Sequence, residues 1–206
     1  MIGPAVFLAV FMVEGWLRPG YDPLSIAVSE LSLGPRGWIQ IASFLVIGAS
    51  FLVFARGIAA EFKRGKASRA GPVLFAIIGL AILASGPFVI DPASTPRDQW
   101  SRHGTIHQLL GAIAFSLMPA SCFVFWRRFC EDKKWQSLRW WTLAAGVIFV
   151  AAIVLMKVAQ LDPIADNPVS PWMGLIQRVA LITYFAWIAV VALRLGKTDL
   201  RPSATS

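Results

Sequence analysis

Six apolar runs separated by short polar segments organise the chain. They cover residues 2–16, 37–60, 70–90, 105–126, 140–160 and 172–193. The hydrocarbon core of a bilayer needs about 20 mostly apolar residues per helix, with a range of roughly 17–25. The last five runs therefore predict transmembrane helices that cross with some tilt. The first run is shorter and contains Glu14. It lacks the basic start and the small-residue cleavage site of a secretory signal, so it counts as a sixth span. The predicted fold is all-α: a polytopic membrane protein with one six-helix transmembrane domain over 1–196. Short interfacial helices are expected in the odd-numbered loops, and a basic flexible tail over 197–206.

Composition agrees. Of 206 residues, 57% are hydrophobic and 15% charged, against roughly 45–50% and 25% in soluble domains. A soluble globule, a disordered chain and a coiled coil are all excluded. Two cysteines, Cys122 and Cys130, are too few for a disulfide scaffold.

The net charge of +8 has a topological meaning. Thirteen of the 19 Lys and Arg residues lie in the second and fourth connections, just above them, or in the tail. Positive charge stays on the cytoplasmic side, which predicts cytoplasmic termini and a place in the inner membrane of a bacterium. Basic loops dispersed between apolar spans attract anionic lipid and do not make a nucleic-acid footprint. Trp16, Trp38, Trp100, Trp126, Trp135, Trp140, Trp141 and Trp172 fall near span ends, where an amphipathic ring anchors at headgroup level.

The odd-numbered loops carry the unusual residues. Three odd-numbered spans end in Asp-Pro: Asp22-Pro23, Asp91-Pro92 and Asp162-Pro163. Asp is a good N-cap and Pro suits the first helical position, so each pair can start a short interfacial helix. Residues 24–31 are predicted as one, with Ser25 and Ser29 bonding its backbone. The alternative is that the aspartates converge on a polar pocket.

Ionisable groups inside spans are costly, at least about 2.5–3.5 kcal/mol each at the helix centre. Glu14 can pair with Arg18 at i+4 if the first helix continues that far. Lys157 and Gln160 occupy the last turn of the fifth span, where Lys157 can snorkel to the surface. Gln177 and Arg178 lie roughly 8–9 Å below the start of the sixth span at 1.5 Å per residue. Arg178 is expected to face the bundle with a carboxylate partner, the candidates being Glu14, Asp91 and Asp162.

His103 and His107 are the only histidines, and their i, i+4 spacing puts both on one helix face. With Asp91 they suggest a zinc or other divalent-metal site. The competing expectation is a hydrogen-bonded interfacial His103 and an interhelical polar contact for His107. Bis-histidine haem ligation is not expected, because both imidazoles are on one helix. There is no GxSxG elbow, Walker loop, GxGxxG or CxxC. Small residues such as Gly48, Gly79 and the Gly111-Ala112 pair predict close helix approach, and Pro87 and Pro119 predict kinks.

The run Arg18-Pro19-Gly20-Tyr21-Asp22-Pro23, followed by Ser29-Glu30-Leu31 and Gly37-Trp38, resembles the opening signature of the DUF998 membrane proteins. Gly86-Pro87-Phe88 before Asp91, a histidine opening the fourth span, and Gly174 with Gln177-Arg178 follow in the family's order. The resemblance implies a six-helix integral membrane protein and brings no established catalytic residues. It places Arg18, Tyr21, Asp22, Ser29, Asp91, His107, Gln177 and Arg178 mostly on the outer face.

The leading expectation is a non-enzymatic protein. Its outer polar cluster (Glu14, Arg18, Tyr21, Asp22, Ser29, Asp91, His107, Lys157, Gln177 and Arg178) would lock the helices and hold a lipid headgroup or small ligand. Membrane lipids are the expected partners, the further candidates being other membrane subunits or a second copy of the chain. The alternatives are a metal-dependent intramembrane hydrolase or lipid-modifying enzyme built on His103, His107 and Asp91, and a small-solute transporter.

Overall fold

A computed structural model of the chain describes residues 2–160 and 167–199. The described residues form six α-helices: α1 (Gly3–Leu17), α2 (Gly37–Glu61), α3 (Ala70–Ala84), α4 (Arg102–Glu131), α5 (Arg139–Gln160) and α6 (Met173–Asp199). All six predicted spans are helical, with no strand among the described residues. The predicted tail at 197–206 lies largely outside them.

Four of the helices, α2, α4, α5 and α6, are long and apolar enough to cross a bilayer, while α1 and α3 are shorter apolar helices. At 1.5 Å per residue each 15-residue helix reaches only about 22 Å. Local chemistry explains both short ends. Arg18 precedes Pro19 and takes an extended backbone, φ −85° and ψ 116°, because proline disfavours the helical state in the residue before it. The third predicted span ran to residue 90, but α3 stops at Ala84 and the chain turns through Gly86-Pro87. Helix α4, by contrast, continues unbroken through Pro119. Its start is capped by Ser101, whose hydroxyl accepts from the Gly104 N–H at 2.9 Å.

Each helix packs against its neighbours in the chain, and α6 returns to α1, so the six close into a ring. Helices α2 and α6 also touch across it. The tightest seam joins α2 and α3. A Cβ on Gly48 would lie 2.8 Å from the Gly79 carbonyl, and one on Gly79 would lie 2.9 Å from the Gly48 carbonyl. The predicted small-residue approach is realised there.

The two halves of the ring are filled differently. Toward the end where the basic even-numbered loops lie, the interior is aromatic: Phe51, Phe75, Phe125, Phe149, Tyr184 and Trp187 are fully buried. Phe75 lies 5.6 Å from Phe125 and 6.2 Å from Trp187, and Phe149 lies 5.7 Å from Tyr184. The two buried polar tips among them are paired, Tyr184 with the Ser121 hydroxyl at 2.9 Å and Trp187 donating to Thr142 at 2.9 Å. Such pairing is needed where no water can substitute.

Ion pairs tie the even-loop end: Lys134 with Glu61, Lys66 with Glu131, and Arg128 with Asp132 at 2.8 Å. Trp16, Trp38, Trp140 and Trp172 are exposed as anchors should be. Trp135 corrects the expectation for its type. It is fully buried, stacked on Phe129 at 5.1 Å, and donates to Glu61 at 3.2 Å.

Candidate functional site: a locked loop and a hollow end

The opposite, odd-loop end begins with a turn dictated by sequence. In Arg18-Pro19-Gly20-Tyr21 the Tyr21 N–H bonds the Arg18 carbonyl at 3.2 Å, and Gly20 has φ +75°. Proline followed by a positive-φ glycine makes a type II turn. The turn delivers Tyr21 toward α6. Asp22 then caps the next turn. One of its carboxylate oxygens accepts from the Leu24 N–H at 3.0 Å and the other from the Ser25 hydroxyl at 2.6 Å. These donors hold its carboxyl below the ordinary range. Ser25 thus bonds a side chain, which corrects the expectation of a backbone bond.

The helix predicted over 24–31 does not form as one unit. A single turn follows Asp22, Ala27 is extended, and a separate 3₁₀ turn runs Val28–Ser32. The reason lies on α6. Arg178, which is buried, donates through Nη1 to the carbonyls of Pro23 (2.7 Å), Ile26 (3.0 Å) and Gly174 (3.1 Å), and through Nη2 to the Tyr21 hydroxyl at 2.6 Å. Tyr21 passes its own proton on to the carbonyls of Ile26 and Ala27, at 3.2 and 2.9 Å. Carbonyls that would continue the helix are committed elsewhere. Burial pushes the Tyr21 hydroxyl above its ordinary pKa, so it remains a donor at neutral pH. The Gln177 side-chain carbonyl completes the lock by accepting from the Val28 N–H at 2.8 Å.

Arg18 repeats the device on the other side of the loop, donating to the carbonyls of Glu30 (3.3 Å), Leu31 (2.9 Å) and Leu33 (3.0 Å). A planar guanidinium with five fixed donors suits the gathering of several carbonyls.

Two expected ion pairs are corrected by this geometry. Glu14 does not meet Arg18, because α1 has ended before the i+4 position. It is buried and pairs with Arg36, Oε1 to Nη2 at 2.5 Å and Oε2 to Nε at 3.1 Å. Arg178 has carbonyls and a phenol where a carboxylate was expected. Glu14 is taken by Arg36, and Asp91 accepts from the Ser101 N–H at the start of α4 at 2.8 Å. Asp162, with Pro163, lies outside the described residues.

The histidines both engage Phe88. His103 packs edge-on against its ring at 5.5 Å, and buried His107 donates through Nδ1 to its carbonyl at 2.7 Å. The contact His107 makes joins α4 to the loop after α3, where a contact between two helices is the sequence expectation. Among the described residues no group of three His, Cys, Asp or Glu side chains is arranged to hold a metal ion. The His103, His107 and Asp91 set expected for zinc is therefore not assembled.

Beside the locked loop the ring is hollow. A cavity of about 920 Å³ reaches from the odd-loop end toward the aromatic half, within the roughly 300–1,000 Å³ of sites that enclose a small ligand. Its deep walls are apolar: Phe7, Phe44, Phe115, Met118, Leu181 and Phe185. Its rim is polar, with Ser29, Glu30, Asp91, Arg97, Lys157 and Gln177. Of the expected cluster, Ser29, Asp91, His107, Lys157 and Gln177 line this space, whereas Glu14, Arg18, Tyr21, Asp22 and Arg178 do not.

Sequence reasoning missed what makes the room. Gly111 and Ala112 were read as close-packing residues, but a Cβ on Gly111 meets nothing within 4 Å and both residues line the cavity. It also missed Arg36, Gln40 and Ser43. Gln40 and Ser43 are buried on α2, with side-chain polar atoms that have no hydrogen-bond partner among the described residues. Their i, i+3 spacing within an apolar run was the only available signal.

Fold and site together define an integral membrane six-helix bundle with one hollow end. The chain belongs to the family described as protein of unknown function (DUF998), whose model matches residues 1–194. No curated protein and no solved structure matches it.

Proposed function

We propose that this protein is a non-enzymatic binder of a membrane amphiphile, which it holds in the hollow end of the ring. The observation that carries the reading is the cavity itself: an apolar interior beneath a polar rim is complementary to a molecule with a greasy body and a polar head. The locked loop forms one wall of that space, so buried Arg178 and half-buried Arg18 serve the site by holding its shape. The aromatic filling of the other half supports holding over conduction. A metal-dependent hydrolase reading draws no support from His103 and His107, both engaged with Phe88.

The basic even-loop end is the cytoplasmic one, the hollow end faces outward, and both termini are cytoplasmic, in the inner membrane of a bacterium. The distribution of Lys and Arg supports this orientation. Cys130, exposed near the even-loop end while Cys122 is buried, gives a direct check. A membrane-impermeant maleimide should label it only after spheroplasts are opened; labelling of intact spheroplasts would reverse the orientation.

Lipid extraction tests the binding. Protein purified in mild detergent should carry about one amphiphile per chain, and Gly111→Phe, which fills the cavity without meeting a neighbour at its Cβ, should carry none. Equal lipid content in both proteins, or none in either, would remove the proposal.

A further inference from the structure

The cavity has a side as well as a mouth. Toward the even-loop end α4 and α5 are in contact. A Cβ on Gly146 would meet Cys122 at 3.0 Å and Phe123 at 3.3 Å, and the rings of Phe115 and Phe149 are 5.4 Å apart. Nearer the hollow end the same face of α4 changes character. Gln108, Ala112 and Ser116 succeed one another at i, i+4 and i+8, are exposed, and line the cavity. Lys157 and Gln160 line it from α5 and are also exposed. The two helices meet at Phe115 and Phe149, and toward the odd-loop end exposed residues of both helices line the cavity.

The charges at this opening are unequal in their commitments. The two rim carboxylates already serve the backbone, Glu30 accepting from the Ala93 N–H at 3.2 Å and Asp91 from the Ser101 N–H. The two rim cations form no ion pair among the described residues. Arg97 lies over the Trp100 ring at 5.8 Å, and the Lys157 ammonium donates to the Gln160 side-chain carbonyl at 3.4 Å. The rim charges balance in number, but among the described residues it is the two cations that have no acidic partner, and Lys157 is the one that stands at the slot. Lys157 stands three residues from the end of α5, about 4.5 Å below it at 1.5 Å per residue. A lysine there reaches headgroup level by extending along its own stem.

We propose that the slot between α4 and α5 admits one acyl chain of an anionic phospholipid sideways from the bilayer, and that Lys157 holds the phosphate at its mouth. The inference rests on the amphiphile-binding reading and names its ligand class and entrance.

Native mass spectrometry of the full chain, titrated with dioleoyl phosphatidylglycerol, dioleoyl phosphatidylethanolamine or oleate, tests it. The wild type should retain one phosphatidylglycerol in preference to the other two. Lys157→Gln should weaken that retention about tenfold, the size of one charge-assisted hydrogen bond, and reduce the preference over phosphatidylethanolamine. Ala112→Trp, which places a bulky ring in the slot at an exposed position, should abolish retention, with Ser116→Trp as a second block if the first misfolds.

Retention of phosphatidylglycerol unchanged by the slot and Lys157 variants, but lost in Gly111→Phe, would overturn the side entrance and phosphate contact while leaving cavity binding intact. Preferred retention of oleate would overturn the phospholipid. Lipid retention unaffected by Gly111→Phe would overturn both readings together.

Discussion

Arg36 grips Glu14 at two points across 22 residues of chain, with Nη2 on one carboxylate oxygen and Nε on the other. The carboxylate is buried, with the Glu14 side chain 6% exposed, while the Arg36 side chain is 48% exposed. The pair therefore joins the end of α1 to the start of α2, with most of the desolvation borne by one partner. Arg36→Ala leaves a buried charge without its counter-ion. Breaking a fully buried pair costs about 3–5 kcal/mol; the half-exposed arginine reduces this to about 1–2 kcal/mol. Thermal unfolding in detergent should show that loss, and Glu14→Leu combined with Arg36→Ala should recover most of it. A double variant no more stable than the single one would show that the pair is not what holds these helices together.

Arg178→Lys should destabilise the protein almost as much as Arg178→Ala. The lysine keeps the charge but not the fork that serves three carbonyls and a phenol at once. Carbonyls left unsatisfied in a buried site put the expected loss at about 2–3 kcal/mol. Chemical or thermal denaturation followed by tryptophan fluorescence would measure it. If Lys fully replaced Arg, charge alone would be sufficient and the lock would not depend on fork geometry.

Two glycines should respond in opposite ways to alanine. A Cβ on Gly174 would sit 2.5 Å from the Ile26 carbonyl and 2.7 Å from that of Pro23. These are backbone atoms that cannot rotate aside, and they are the acceptors of Arg178. Gly174→Ala should lower the melting temperature by pushing the loop off α6. Gly111→Ala meets no atom within 4 Å and should raise stability by up to about 1 kcal/mol through helix propensity. Parallel melting curves of the two variants suffice, and the same sign in both would contradict the geometry.

Acid should weaken the first loop through Asp22. The Ser25 hydroxyl and the Leu24 N–H hold its carboxyl below the ordinary value of 3.8. A group whose folded-state pKa is depressed contributes stability above its unfolded pKa and loses it as pH falls through the folded value. Asp22 should thus contribute no pH dependence well above the unfolded value of 3.8 and a progressive decline as pH falls through that region and below it. In Asp22→Asn the acid limb of a melting-temperature profile should be shallower than in the wild type; coincident acid limbs would remove Asp22 from the account.

What the sequence made legible was whatever a single segment decides. Six apolar runs predict six helices because burial in lipid needs only local composition, and Pro19 already implies that α1 stops before Arg18, which rules out its i+4 pairing with Glu14. Partners brought together by the ring could not be read this way. Nothing near Arg178 announces that its acceptors are main-chain carbonyls 152 and 155 residues away, because carbonyls carry no sequence identity. The cavity was hidden for a related reason: Gly111 and Ala112 look the same in sequence whether a neighbour fills the space beside them or not.

The contrast between an aromatic half and a hollow half makes the molecule a cup and not a tube. The cavity and both of the openings described for it lie in one half of the bundle, and the aromatic filling occupies the other. Under the proposed binding reading, a ligand would therefore be held at one end of the bundle, against an aromatic floor.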